Sequence, residues 1–247
     1  RKKVLLWPGV ACLISCASLV VQRNAEWRDE LSLWSAAADQ SSQMPRVHVH
    51  LGNALRDRGD RSAAKRAYER ALVLAPDHRS ARTNLANLYF EAAQSDSLHR
   101  ADYLRQAVRQ YEEVLLRDPL YVEALNNLGS ARMMLGEYAQ AEEIWARAIR
   151  RQPNRAEAHY NMGLLQVRLG QLSAAVPYLE RALVLEEDAE THTQLGNALA
   201  GLGRLAQAGQ AYRRAIALVP DDIASRYNLA EVLLVLGEAD MGQGRRG

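Results

Sequence analysis

Six residues recur as a set along this chain at a period near 34, and that recurrence limits the fold more than any other feature. Around residue 129 the set reads Leu128-Gly129, Ala141, Trp145, Ala148 and Pro153. It returns as Leu51-Gly52, Ala64, Tyr68, Ala71 and Pro76, and again as Leu195-Gly196, Ala208, Tyr212, Ala215 and Pro220. In all three sets the proline follows the glycine by 24 residues. A unit of this length holds two helices and cannot bury its apolar face alone. Copies must therefore stack, as in a solenoid.

Each position has a packing reason. The small residue after leucine, or after Met162 in the fourth repeat (Gly52, Ala86, Gly129, Gly163, Gly196, Ala230), lets the two helices of a repeat approach closely. An alanine on the second helix (Ala64, Ala107, Ala141, Ala175, Ala208) sits opposite it. Four residues on, a large side chain (Tyr68, Tyr111, Trp145, Leu179, Tyr212) fills the remaining space. Gly59, Gly136, Gly170, Gly203 and Gly237 fall where each first helix must stop, a task suited to a residue that tolerates left-handed backbone. Pro76, Pro119, Pro153 and Pro220 end the second helices, because proline lacks the amide donor.

The pattern resembles the tetratricopeptide repeat, and the resemblance implies an all-α TPR-type α-solenoid, a right-handed superhelix of helix pairs. Five full repeats are phased: Pro45–His78, Arg79–Tyr121, Val122–Arg155, Ala156–Asp188 and Ala189–Asp222. A final first helix runs over Ile223–Leu236, so the solenoid occupies 45–240 and a disordered tail 241–247. Residues 23–44 form a linker and capping helix, the helix expected over Ala25–Ser42. Two repeats deviate. The second carries nine extra residues near Gln94–Arg100, where Ser95-Asp96-Ser97 offers capping chemistry for an early second helix; they read as a longer helical hairpin or as a partner-contacting protrusion. The fourth has Glu187 near the place of the proline and Pro177 inside its second helix, in the first turn or two.

Residues 1–22 are expected to form a transmembrane helix or uncleaved signal anchor. Val4–Val21 is an uncharged apolar run of 18 residues, the lower edge for a spanning helix, and Arg1-Lys2-Lys3 precede it. The positive-inside rule then places the repeats on the non-cytoplasmic side, in a periplasm or an endoplasmic reticulum lumen. Two other readings stay open. A cleaved signal lacks a small-x-small pattern near Gln22–Ala25. Leu13-Ile14-Ser15-Cys16 resembles a bacterial lipobox, yet the apolar run continues through Leu19-Val20-Val21. The start at Arg rather than Met is read as a fragment of a longer chain.

Arg23-Asn24, Trp27 and Leu33-Trp34, followed by Leu51-Gly52, resemble the junction in membrane protein O-mannosyltransferases that carry a TPR tail. That resemblance implies an alternative function: the luminal or periplasmic tail of a membrane O-glycosyltransferase whose catalytic bundle lies upstream of this chain.

A formal net charge of +2, with basic and acidic residues interspersed, argues against nucleic acid. Both cysteines, Cys12 and Cys16, lie in the apolar run, so the repeats need no particular redox compartment. There is no phosphate-cradling glycine loop, no His-Glu-x-x-His and no zinc-spaced cysteine pair. No catalytic residue, metal site, cofactor or small-molecule substrate is therefore assigned. His48, His159 and His192 each lie four residues before the small glycine, a recurring slot that reads as packing.

The candidate site is a pair of asparagine rows. Asn84, Asn127, Asn161 and Asn228 each lie two residues before the small residue; Asn53, Asn87 and Asn197 lie one after it. Ser130, Leu164 and Glu231 interrupt the second row. Stacking aligns such side chains along the first helices, on the concave surface. A primary amide both donates and accepts, so it holds a peptide backbone whatever its sequence. The first row resembles the asparagine ladder of the O-GlcNAc transferase superhelix. Helix-to-helix hydrogen bonding is the competing role. Val49 stands where the clamp of chaperone-binding TPR domains places lysine, which argues against acidic chaperone tails. The leading function is a non-enzymatic, membrane-anchored scaffold that binds a peptide or partner protein in its concave groove.

Overall fold

The computed structural model describes residues 28–244, with side chains described through Gly237. The apolar run Val4–Val21, the anchor readings and the Arg23-Asn24 and Trp27 part of the junction resemblance lie outside these residues. Among the described residues there are twelve helices and no strand, and no helix is long and apolar enough to cross a membrane.

The helices are α1 (Glu30–Gln40), α2 (Pro45–Asp57), α3 (Arg61–Leu74), α4 (Arg79–Ser95), α5 (Arg100–Leu115), α6 (Val122–Met134), α7 (Tyr138–Arg151), α8 (Ala156–Arg168), α9 (Leu172–Leu185), α10 (Ala189–Gly201), α11 (Leu205–Leu218) and α12 (Ile223–Gly244). They fall into two compact units that divide after Val114. In the first unit α1 packs on α2, α2 on α3 and α3 on α4. In the second, each helix from α6 to α12 packs on the next. First helices also touch the following first helix: α2 touches α4, α6 touches α8, α8 touches α10 and α10 touches α12. This is the neighbour pattern of stacked helix pairs.

The repeat residues act as the sequence implied. Tyr68, Tyr111, Trp145 and Leu179 are wholly buried and Tyr212 nearly so, as are the alanines Ala64, Ala107, Ala141, Ala175 and Ala208. Each buried aromatic removes roughly 150–250 Å² from water. A Cβ on Gly129 would lie 2.5 Å from the Trp145 indole, and one on Gly196 would lie 2.5 Å from the Tyr212 ring. The helix stops rest on a different property. Gly59, Gly136, Gly170 and Gly203 have φ of 83°, 81°, 73° and 74°. After each, an amide reaches back five residues, as in Glu137 N to Arg132 O at 2.9 Å. That is the Schellman closure, which satisfies a carbonyl the helix would otherwise leave open.

Gly237 departs from expectation. It has no positive φ, and α12 continues through it to Gly244, past the expected end at Leu236 and into the expected tail 241–247. A Cβ at Gly237 would meet nothing within 4 Å, so no packed neighbour forces a turn there. The following Glu238-Ala239-Asp240-Met241 includes good helix formers.

α1 is shorter than the expected Ala25–Ser42. Asp29 sets its start through a capping box: its carboxylate accepts from the Ser32 amide at 2.8 Å, and its own amide donates to the Ser32 hydroxyl at 3.2 Å. The nine extra residues of the second repeat form a longer helical hairpin, with both helices lengthened. α2 ends five residues after Gly52, whereas α4 ends nine after Ala86. α3 begins three residues before Ala64, whereas α5 begins seven before Ala107. Each helix thus gains about one turn, and the loop 96–99 gains one residue over 58–60. Pro177 is the sixth residue of α9, as expected, so it removes one helical hydrogen bond in the second turn.

Candidate functional site: the asparagine rows

The two rows are hydrogen-bonded to each other. Asn53 Oδ1 accepts from the Tyr68 hydroxyl at 2.8 Å and from the Asn84 side-chain amide at 2.8 Å. Asn197 Oδ1 accepts from Tyr212 at 2.8 Å and from Asn228 at 2.9 Å. Asn87 Oδ1 accepts from Tyr111 at 2.6 Å. All three second-row asparagines therefore satisfy the tyrosine of their own repeat, and Asn53 and Asn197 also join the first-row asparagine of the next.

This explains why the second row is interrupted. Where the large residue is Trp145, the slot holds Ser130, and the indole N–H donates instead to the Asn126 backbone oxygen at 3.2 Å. Where it is Leu179, the slot holds Leu164 and there is no hydroxyl to satisfy. Asparagine occupies the slot in the repeats whose large residue is tyrosine. The correlation stands in the sequence itself, but it shows only when the small-residue position and the aromatic position are read as a pair.

The first row divides accordingly. Asn84 and Asn228 donate across a repeat step, and their own side-chain oxygens have no protein partner among the described residues. Asn127 is also engaged. Asn161 follows the repeat with Ser130 in the second-row slot; it is half-buried and makes no side-chain hydrogen bond among the described residues.

In the first unit the rows line a groove of about 670 Å³ between α2 and α4. Arg46, Val49, His50 and Asn53 form one wall, and His78, Arg79, Ser80 and Asn84 the other. No carboxylate is among the lining residues, so the groove is electropositive and rich in donors. The His50 ring stacks on Trp34, with centroids 4.2 Å apart and 13° between planes. Burial pushes the Tyr68 phenol beside it up to about 12.

The histidine slot has a concrete structural role. His48 Nε2 bonds the Ser42 carbonyl and His159 Nε2 the Pro153 carbonyl, both at 2.9 Å and both six residues back. Arg82 does the same to Pro76 at 2.7 Å. These side chains tie each first helix to the turn before it. Among the described residues, no three His, Cys, Asp or Glu are placed to hold a metal.

Tetratricopeptide-repeat models match residues 45–88 and 120–184, and a TPR-repeat model matches 196–237. The chain is a tetratricopeptide-repeat protein. Among curated proteins, FlbA of Caulobacter vibrioides is 26% identical over 188 residues, which is 74% of this chain and 30% of FlbA. The chain thus spans about a third of that relative. The TPR protein TTC0263 of Thermus thermophilus is similar in structure, with a TM-score of 0.60 and 26% identity over 77% of this chain and 99% of that one. YrrB, a TPR protein with an unusual peptide-binding site, shares the fold at TM-score 0.59 and 18% identity over 78% of this chain and 96% of its own. These relatives share the TPR fold.

Proposed function

We propose that this TPR scaffold binds an extended segment of a partner protein along its first helices, with the asparagine rows holding the peptide backbone. The observation that carries the reading is the groove between α2 and α4. There the Asn84 carbonyl oxygen and the Asn53 amide nitrogen remain without a partner among the described residues, on the same surface. An acceptor and a donor side by side match a peptide unit, which presents one N–H and one C=O. Asn161 and Asn228 offer further amide groups in the second unit, with Asn127, Asn87 and Asn197 completing the rows. YrrB's peptide-binding site supports such a use of the fold.

A random linear peptide library selected on the protein provides the test. Enriched peptides should lose up to about tenfold in affinity on Asn84→Asp or on Asn161→Ala, according to the unit they engage, since one neutral hydrogen bond contributes roughly 0.5–1.5 kcal/mol. Failure to enrich any peptide, or enriched peptides indifferent to both Asn161→Ala and Asn84→Asp, refutes the reading.

The scaffold is further proposed to be held at a membrane through residues 4–21, with the repeats on the non-cytoplasmic side. Support comes from the basic triplet ahead of the uncharged run. Protease added to intact cells should degrade the repeats; protection by the cytoplasmic membrane would refute this topology.

A further inference from the structure

The turn between α9 and α10 is one residue shorter than its counterparts. Three residues separate these helices, against four between α3 and α4, between α7 and α8, and between α11 and α12. Glu187 stands near the place of the proline. Two side chains that tie down this turn in other repeats make no hydrogen bond to it here.

The first is the histidine slot. His48 and His159 bond the carbonyl six residues back, but His192 makes no such bond. Its Nε2 lies 3.6 Å from the Glu187 carboxylate instead, and its Nδ1 is buried without a partner, as is that of His159. The second is an arginine eighteen residues after the small glycine. Arg147 donates to the Pro119 carbonyl at 3.0 Å, and Arg181 to the Asn154 side-chain oxygen at 3.0 Å. Arg214 holds the same position in the fifth repeat and makes no hydrogen bond or ion pair among the described residues.

Both released groups line one pocket of about 530 Å³ formed by α9, α10 and α11. Arg213, also unpaired among the described residues, and Arg204 line it too, together with Gln207 and a single carboxylate, Glu180. Arg204 Nε donates to Gln207 at 2.5 Å. No side chain caps the N-terminus of α11 beside Arg204, so that helix end adds its own positive potential. Three guanidiniums and one carboxylate line the pocket, and Glu187 stands beside His192 at its edge, which leaves a smaller positive excess than the lining alone carries. Burial holds the His192 imidazole below its ordinary value, so at neutral pH it is an uncharged hydrogen-bonding group.

We infer that this pocket is a binding site for a dianionic phosphate group, created by the shortened turn. Guanidinium forks match phosphate oxygens geometrically, and a phosphate group presents three acceptor oxygens to several forks at once where a carboxylate presents two. The site shares no residue with the asparagine rows, so it stands or falls independently of the peptide reading.

Calorimetric titration of the full chain with inorganic phosphate and with O-phospho-L-serine, at ionic strength fixed by sodium chloride, is the experiment. Saturable binding of both is expected, with acetate at least tenfold weaker. Arg214→Gln and Arg213→Gln should each weaken phosphate binding about tenfold without lowering the melting temperature. Arg70→Gln, in the same repeat position of the first unit, should leave binding unchanged. Replacing Glu187 by Pro-Asn restores the four-residue turn and supplies partners for His192 and Arg214. It should abolish binding while the protein keeps its helical circular dichroism. Acetate binding equal to phosphate, no saturation above the salt control, or full binding by Arg214→Gln overturns the inference.

Discussion

Asn84 donates its side-chain amide to Asn53 across one repeat step, at 2.8 Å, and the same Asn53 oxygen accepts from Tyr68 at 2.8 Å. One oxygen thus joins two helices of one repeat to the first helix of the next. Asn53→Ala removes it and leaves the buried Tyr68 hydroxyl without an acceptor. An orphaned buried polar group costs about 1–3 kcal/mol, so the variant should unfold at lower denaturant. Asn161→Ala breaks no hydrogen bond among the described residues and should leave the denaturation midpoint nearly unchanged. Equal midpoints for Asn53→Ala and wild type would remove the stabilising role of the second row.

The Tyr68 phenol gives a pH signature. Burial raises its folded value to about 12 from an ordinary value near 10. The unfolded chain therefore ionises first. The stability linked to this group is complete below about pH 10 and is lost as pH rises toward about 12. Melting temperature should fall over that window in wild type and fall less in Tyr68→Phe. Parallel pH profiles for the two proteins would contradict the buried, protonated phenol.

The packing of repeats was legible in the sequence because each marker acts within its own helix pair. Gly129 and Trp145, or Gly196 and Tyr212, meet at a fixed offset whatever lies elsewhere. The site was less legible because its hydrogen bonds run between repeats. Asn84 and Asn53 are neighbours only once register is set by stacking. The second repeat shows the same limit. Its extra residues read as a longer helical hairpin, as found, but the Ser95-Asp96-Ser97 cap signal did not show that α4 and α5 divide them evenly. The shortened turn at Glu187 was visible as a missing proline. That it releases Arg214 and His192 required knowing what Arg147 and His159 bind.

The close approach of Gly129 and Trp145 is testable by one methyl group. A Cβ at 2.5 Å from the indole forces helices α6 and α7 apart or turns the wholly buried Trp145 out of place. Overpacking of this kind costs about 1–3 kcal/mol. Gly129→Ala should lower the melting temperature and shift Trp145 fluorescence, whereas an unchanged spectrum and melt would mean that the pair has slack.

Gly136 and Gly237 separate two meanings of the same residue. Both fall at the position where a first helix is expected to stop, and neither has any atom within 4 Å of an added Cβ. They differ in backbone. Gly136 has φ of 81°, where an L side chain collides with its own carbonyl, at a cost of roughly 1–2 kcal/mol. Gly237 lies inside α12 with ordinary helical backbone, where alanine is favoured over glycine by about 0.8–1 kcal/mol. Gly136→Ala should therefore lower stability, and Gly237→Ala should raise helicity at 222 nm and leave stability equal or higher. Space cannot produce opposite signs here, because both sites are open; only the torsion angle can. If Gly237→Ala destabilised the protein as Gly136→Ala does, α12 would stop at Leu236 after all.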